Sequence, residues 1–115
     1  MILVERFGCF GGNITAVGVE GFAWYRHEGT VDSEGIGREF KNRTIEMGAA
    51  TLEPQSDNHA LDGKAFKVVA DDMVLEAGIM PILHHCFVVL VMNGKRIKGI
   101  IIESKVGREA ILAGE

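Results

Sequence analysis

Between His84 and Glu103 the chain runs through two apolar stretches, FVVLVM and IKGIIIE, separated by Asn93-Gly94. Asn-Gly accommodates the positive φ values of a two-residue type I′ turn, so the pattern predicts a β-hairpin. Counting outward from that turn places Met92 opposite Lys95, Leu90 opposite Ile97, Cys86 opposite Ile101 and His84 opposite Glu103 on one side of the ribbon. Phe87/Ile100 and His85/Ile102 then share the other side.

Upstream, MILVER reads as a short apolar strand, followed by a glycine-rich turn, FGCFGGN. Residues 14–26 are rich in β-branched and aromatic side chains without clean alternation, the pattern of a strand covered on both faces. A helix is expected from a cap at Asp32-Ser33 to Met47, with Ile36, Phe40, Thr44 and Met47 on one stripe. Glu34/Arg38 and Glu39/Arg43 are acid-then-base pairs at i, i+4, and Gly48 stands where a left-handed C-terminal cap belongs. Residues 53–63 read as a polar loop with an Asp62-Gly63 turn, residues 64–70 as a strand, and residues 71–82 as either a helical turn or a second strand, ended by Pro81. Ser104 is expected to cap a short terminal helix over residues 105–113.

Strands and helices that do not alternate regularly imply one α+β domain spanning residues 1–115. Its sheet should be mainly antiparallel, curved enough for a half barrel, with one or two short helices. Its 115 residues suffice for a single core. Mean hydropathy is +0.16, on the high side for a short chain. Both sides of the predicted ribbon are apolar away from its turn, so a homo-oligomer, dimer or higher, is expected.

Charge narrows the partners. Twelve basic against sixteen acidic residues give −4, without the basic stripe that nucleic-acid binding needs. No apolar run reaches the length of a membrane span, and the N-terminus lacks a signal-peptide pattern, so a cytoplasmic protein with reduced Cys9 and Cys86 is expected.

Three groups carry candidate chemistry. On the predicted hairpin, His84, Cys86 and Glu103 share a face, as a trio able to ligate zinc, as a thiol activated by a histidine that a carboxylate orients, or as an ordinary polar cross-strand pair beside a small buried cysteine. Adjacent His84 and His85 point to opposite faces of a strand and cannot close on one ion without a bulge, and the polar-pair reading is preferred to the trio, so no metal site is assigned. Trp24, Tyr25 and Arg26 gather the chain's only Trp and Tyr beside a cation, suited to stacking on a planar ligand and holding its carboxylate. Asp57 and His59, in the polar loop, are a further ligand-binding pair. Asp71-Asp72 read as a cap or turn. Gly8-x-x-Gly11-Gly12 matches neither the dinucleotide fingerprint nor the P-loop, and no motif identifies a cofactor or a family.

The resulting expectation is a small oligomeric domain that binds a small molecule or a protein partner. The alternative is a small enzyme without a dedicated cofactor motif, of isomerase, lyase or hydrolase type, using His84/Glu103 or His59/Asp57 for proton transfer.

Overall fold

The computed structural model describes residues 1–21, 26–27, 30–31, 34–55 and 58–114. In chain order the elements are β1 (Ile2–Val4), a single π-turn (Asn13–Val17), β2 (Arg26–His27), β3 (Thr30–Val31), α1 (Ile36–Glu46), β4 (Ala50–Glu53), β5 (Asn58–Leu61), α2 (Gly63–Glu76), β6 (Met80–Ile82), β7 (Cys86–Asn93), β8 (Arg96–Ser104) and β9 (Gly107–Leu112). The fold is α+β. Among the described residues three of the four sheets are antiparallel and none closes into a barrel. No described helix is long and apolar enough to cross a membrane. The chain divides into two compact units, Cys9–Ala77 and Met1–Gly8 with Gly78–Glu115.

In the first of these, α1 forms where its periodicity predicts. Glu34 and Glu39 pair with Arg38 and Arg43 at 2.7 and 2.6 Å, and the helix closes with Gly48 N–H on Ile45 O at 2.8 Å and Ala49 N–H on Thr44 O at 3.1 Å. Those two bonds satisfy carbonyls that the helix end would otherwise leave free. The predicted cap, Asp32-Ser33, lies outside the described residues, and Gly35 occupies the N-cap position. Thr44 is fully buried and Phe40 stacks on Phe66 with ring centroids 4.9 Å apart, whereas Ile36 and Met47 face solvent.

Four expectations fail in this region. Residues 64–70 are helix: Asp62 caps α2 by accepting from Lys64 N–H at 2.8 Å and Ala65 N–H at 3.0 Å. Phe66, Val69 and Ala70 then form the buried stripe at i, i+3, i+4, a spacing that outweighs the short Phe66/Val68 alternation. The helix takes in Asp71-Asp72 as an exposed part of its surface. Within the expected loop over residues 53–63, Glu53 and Asn58–Leu61 are strand, β4 against β5 with Ala50 opposite Leu61 and Leu52 opposite His59. Of the long strand expected over residues 14–26, the described residues form the π-turn, one bridge from Gly21 to Ala60 and β2, while residues 22–25 lie outside the described ones.

In the second unit, β1 and β6 pair in parallel, Ile2 with Met80 and Val4 with Ile82. The antiparallel meander β7-β8-β9 follows. The hairpin exists, but its two-residue turn is Gly94-Lys95, with Asn93 opposite Arg96. Gly94 has φ +59°, and glycine at the first central position is what a type II′ turn requires. Moving the turn by one residue shifts the register by two, so Met92 faces Ile97 and Cys86 faces Glu103. Bulges at Val88 and Lys98 swap the facing sets between them, giving Val89 opposite Ile101 and Leu90 opposite Ile100. The predicted terminal helix is strand β9: Ser104 pairs with Gly107 across a second tight turn, and Ser104 Oγ accepts from Val106 N–H at 3.3 Å. Ile102, 1% exposed, is the buried centre of this meander.

Candidate functional site

The site forms where the parallel pair ends. Glu5, the first residue beyond β1, donates its N–H to Ile82 O at 2.9 Å, continuing the ladder by one bond. The chain then reverses at His84, the single non-glycine residue with positive φ among those described, at +60°. This reversal crosses the next two bonds: His84 N–H reaches Phe7 O and His85 N–H reaches Glu5 O, both at 3.0 Å. Left-handed backbone is uncommon for a residue with a side chain, although histidine adopts it more readily than most. Gly8 accommodates the His84 ring, since a Cβ there would lie 2.7 Å from His84 Nε2.

These bonds fix a short polar loop at the carboxyl ends of β1 and β6. Glu5 Oε1 accepts from Phe7 N–H at 2.8 Å, leaving Oε2 without a partner among the described residues. The Arg6 guanidinium lies over the Phe7 ring, 5.0 Å from its centroid. His85 Nδ1 is 2.6 Å from Leu83 O. A carbonyl can only accept, so Nδ1 carries the proton and Nε2 of the neutral ring is left as an acceptor.

Beside this loop opens a cleft of about 530 Å³, lined by Arg6, Leu83, His84, His85, Ser104, Lys105 and Val106. Leu83 and Val106 supply apolar wall, the two imidazoles and the guanidinium supply flat faces, and Arg6 and Lys105 supply positive charge. Such a lining suits a planar, polar-edged ligand carrying negative charge. A shallower depression of about 420 Å³ lies along α1, but its central cation, Arg43, is already paired with Glu39 and Glu76.

The structure separates the residues that the hairpin register had brought together. His84 is exposed and precedes β7, outside the ladder. Glu103 stands opposite Cys86 and accepts from Arg108 Nε at 3.1 Å, so the expected His84/Glu103 pair does not form. Cys86 is exposed, not the buried hydrophobe of the simpler reading. Among the described residues no three His, Cys, Asp or Glu side chains converge as a metal-holding group. Trp24, Tyr25 and Asp57 lie outside the described residues, and so does the Arg26 side chain; the Arg26 backbone pairs with Val31 in β2. His59 sits in β5 with its Nδ1 buried and without a hydrogen-bond partner among the described residues.

Sequence reasoning missed Glu5, Arg6 and Gly8. The available signal was an acid directly after an apolar strand and ahead of a glycine-rich loop, a sequence that acquires meaning once the strand is known to be parallel.

Comparison with known proteins gives this geometry a context. No curated protein sequence matches the chain. Among solved structures it resembles Thermovibrio ammonificans THI4, with a TM-score of 0.54 and 18% identity over 97% of this chain and 44% of that one. A likeness at that identity concerns the fold, and this chain spans less than half the length of its structural neighbour. The model of the FAD dependent oxidoreductase family matches residues 1–114, and on that match the chain belongs to the FAD dependent oxidoreductase family.

Proposed function

We propose that this chain contributes the adenosine end of an FAD site to a flavin-dependent oxidoreductase. The observation that carries the reading is the position of Glu5, one residue beyond the carboxyl end of a parallel strand, with the next residue, Arg6, lining the cleft. Ligands of sheets with parallel strands bind outside the carboxyl ends, where an acidic residue accepts from ribose hydroxyls. The donor set fits that part of the cofactor. Glu5 Oε2 would accept from a ribose hydroxyl, the flat faces of His85 and Arg6 would pack against adenine, and Arg6 with Lys105 would offset phosphate charge.

The glycine-rich loop does not serve the diphosphate in the same way. A Cβ on Gly11 would lie 2.9 Å from both Phe66 Cδ1 and Thr15 Oγ1, so that glycine is explained by the chain's own side chains. No G-x-G-x-x-G occurs in the sequence. Bound flavin would supply reversible acceptance of a hydride or electrons, while these residues bind and orient its nucleotide end. Cofactor-free proton transfer by His84 and Glu103 is not favoured, because Glu103 is engaged by Arg108.

The test is a titration with FAD, ADP, adenine and riboflavin, followed by flavin fluorescence and calorimetry. FAD and ADP should saturate the protein and riboflavin should not. Glu5→Gln should weaken FAD and ADP by about tenfold, the loss of one charge-assisted hydrogen bond. Equal binding of riboflavin and FAD, or indifference to Glu5→Gln, would overturn the reading.

A further inference from the structure

We propose that His84 is a positioning residue for Glu5, acting through Phe7 by its left-handed backbone rather than by contact with the ligand. The inference rests on the reading of Glu5 as the ribose acceptor. Two bonds make the connection. His84 N–H holds Phe7 O at 3.0 Å, and Phe7 N–H holds Glu5 Oε1 at 2.8 Å. The neighbouring His85 N–H fixes the Glu5 carbonyl at 3.0 Å, so Glu5 is held at both backbone and carboxylate.

The two bonds from His84 and His85 depend on the chain reversing at residue 84, and they fix the Phe7 and Glu5 backbone between which the third, local bond forms. Ile82 O accepts from Glu5, in step with the parallel register, but His84 bonds to a later residue of the first segment than His85 does. This inverted order follows from the φ of +60°. A residue kept to negative φ would carry the second segment straight on and release Phe7, and with it the carboxylate. Gly8 is the complementary part, because any side chain there would meet the His84 ring. Strained backbone of this kind persists where the surroundings enforce it, and it is concentrated at ligand clamps.

The experiment compares substitutions that differ in tolerance of positive φ. Glycine and asparagine adopt it readily, alanine poorly and β-branched valine hardly at all. Affinities for ADP and for adenine are measured by calorimetry on each variant, with a thermal melt on the same sample. The ratio of the two affinities isolates the part of the ligand beyond the base, and a general loss of stability does not move it. In His84→Gly and His84→Asn the ratio should stay within about twofold of the parent, and in His84→Ala and His84→Val it should fall by about tenfold, the value of the hydrogen bond that Glu5 makes. Should His84→Val fail to fold, His84→Ala alone decides the matter against His84→Gly.

Equal losses in all four variants would mean that the ring itself touches the ligand and would overturn the proposal. So would an unchanged ratio in His84→Ala and His84→Val. Glu5→Gln separates this failure from that of the flavin reading. If it leaves the ratio unchanged, Glu5 does not bind the ribose and the functional reading falls. If it collapses the ratio while His84→Ala and His84→Val do not, the positioning inference alone is wrong.

Discussion

The Arg43 guanidinium on α1 grips Glu76, the last residue of α2, through two hydrogen bonds of 2.9 and 2.8 Å, and it holds Glu39 on its own helix at 2.6 Å. One cation thus joins the ends of two helices that share the Phe40/Phe66 contact. The hydrogen bond from Arg43, and then its charge, hold the Glu76 carboxyl below the usual carboxylate range. A depressed folded value means that the stabilisation is fully present above the unfolded value near 4.5 and is lost as pH falls through the folded one. We expect Glu76→Gln to lower the melting temperature by roughly 1–4 °C at neutral pH and low salt, with the gap narrowing as pH falls through the folded value or in 1 M salt. Thermal melts of both proteins across pH and salt measure this, and a gap that stays constant with both acid and salt would contradict the assignment.

Asp62 offers a second carboxylate with the same sign. The backbone N–H groups of Ala65 and Lys64 lower its pKa by hydrogen bonding to the charged form. Asp62→Ala should therefore reduce the melting temperature near pH 7 and have less effect in acid, while Asp62→Asn, which keeps an acceptor oxygen, should lose much less. If the asparagine variant melts with the alanine one, the cap is not what starts α2.

What could be read in advance follows a physical line between local and distant causes. The α1 helix was legible because its pairs Glu34/Arg38 and Glu39/Arg43, and its terminator Gly48, all act within five residues. In α2, Asp62-Gly63 is both a turn signal and a helix start, and the burial of Phe66, Val69 and Ala70 decides between them. The terminal segment GREAIL has an acceptable helical stripe, yet pairing with β8 makes it a strand. Most hidden of all is the parallel contact of Ile2 with Met80, a pairing between residues too far apart in sequence for any turn signal to announce.

Gly99 tests the meander where it is most tightly built. A Cβ at this buried position would collide with the Ile111 carbonyl oxygen and lie 3.0 Å from Leu112 Cα, both on β9. Backbone cannot yield as the tip of a flexible side chain can, so β8 and β9 must separate or the strand must shift. Gly99→Ala should cost about 1–3 kcal/mol, the usual range for overpacking, read as a lower urea midpoint at unchanged slope. Ile102→Ala, which leaves a cavity at the buried centre, should cost about 2–4 kcal/mol in the same assay. An unchanged midpoint for Gly99→Ala would show that β9 is not held against β8 in solution.

The candidate site was partly legible and for an instructive reason. His84 is a candidate from the sequence, and with its neighbour His85 it lines the cleft. The partner expected for His84 is wrong because a two-residue slip in the hairpin register hands Glu103 to Cys86. Glu5 went unnoticed because an acid after an apolar strand is informative only with the parallel neighbour, and the fingerprint that normally accompanies it does not occur in these residues.

Glu103 provides the sharpest contrast between the two readings of the site. Had it oriented His84, removing its charge would disturb the histidine and whatever the histidine does. In the observed register its side chain, 48% exposed, meets Arg108, 63% exposed, across the β8/β9 ladder. Exposed ion pairs of this kind are screened by water and restrict two long side chains, so their net worth is small. Glu103→Gln should shift stability by no more than about 0.5 kcal/mol and leave FAD and ADP affinities within twofold of the parent. Arg108→Gln should behave alike, and the double variant should be no worse than the sum of the two. Calorimetric titration with ADP and a urea melt of each variant measure both effects. A fall in ADP affinity on removing Glu103, with Arg108→Gln silent, would place this carboxylate in the site after all and would require a register other than the one with Cys86 opposite it.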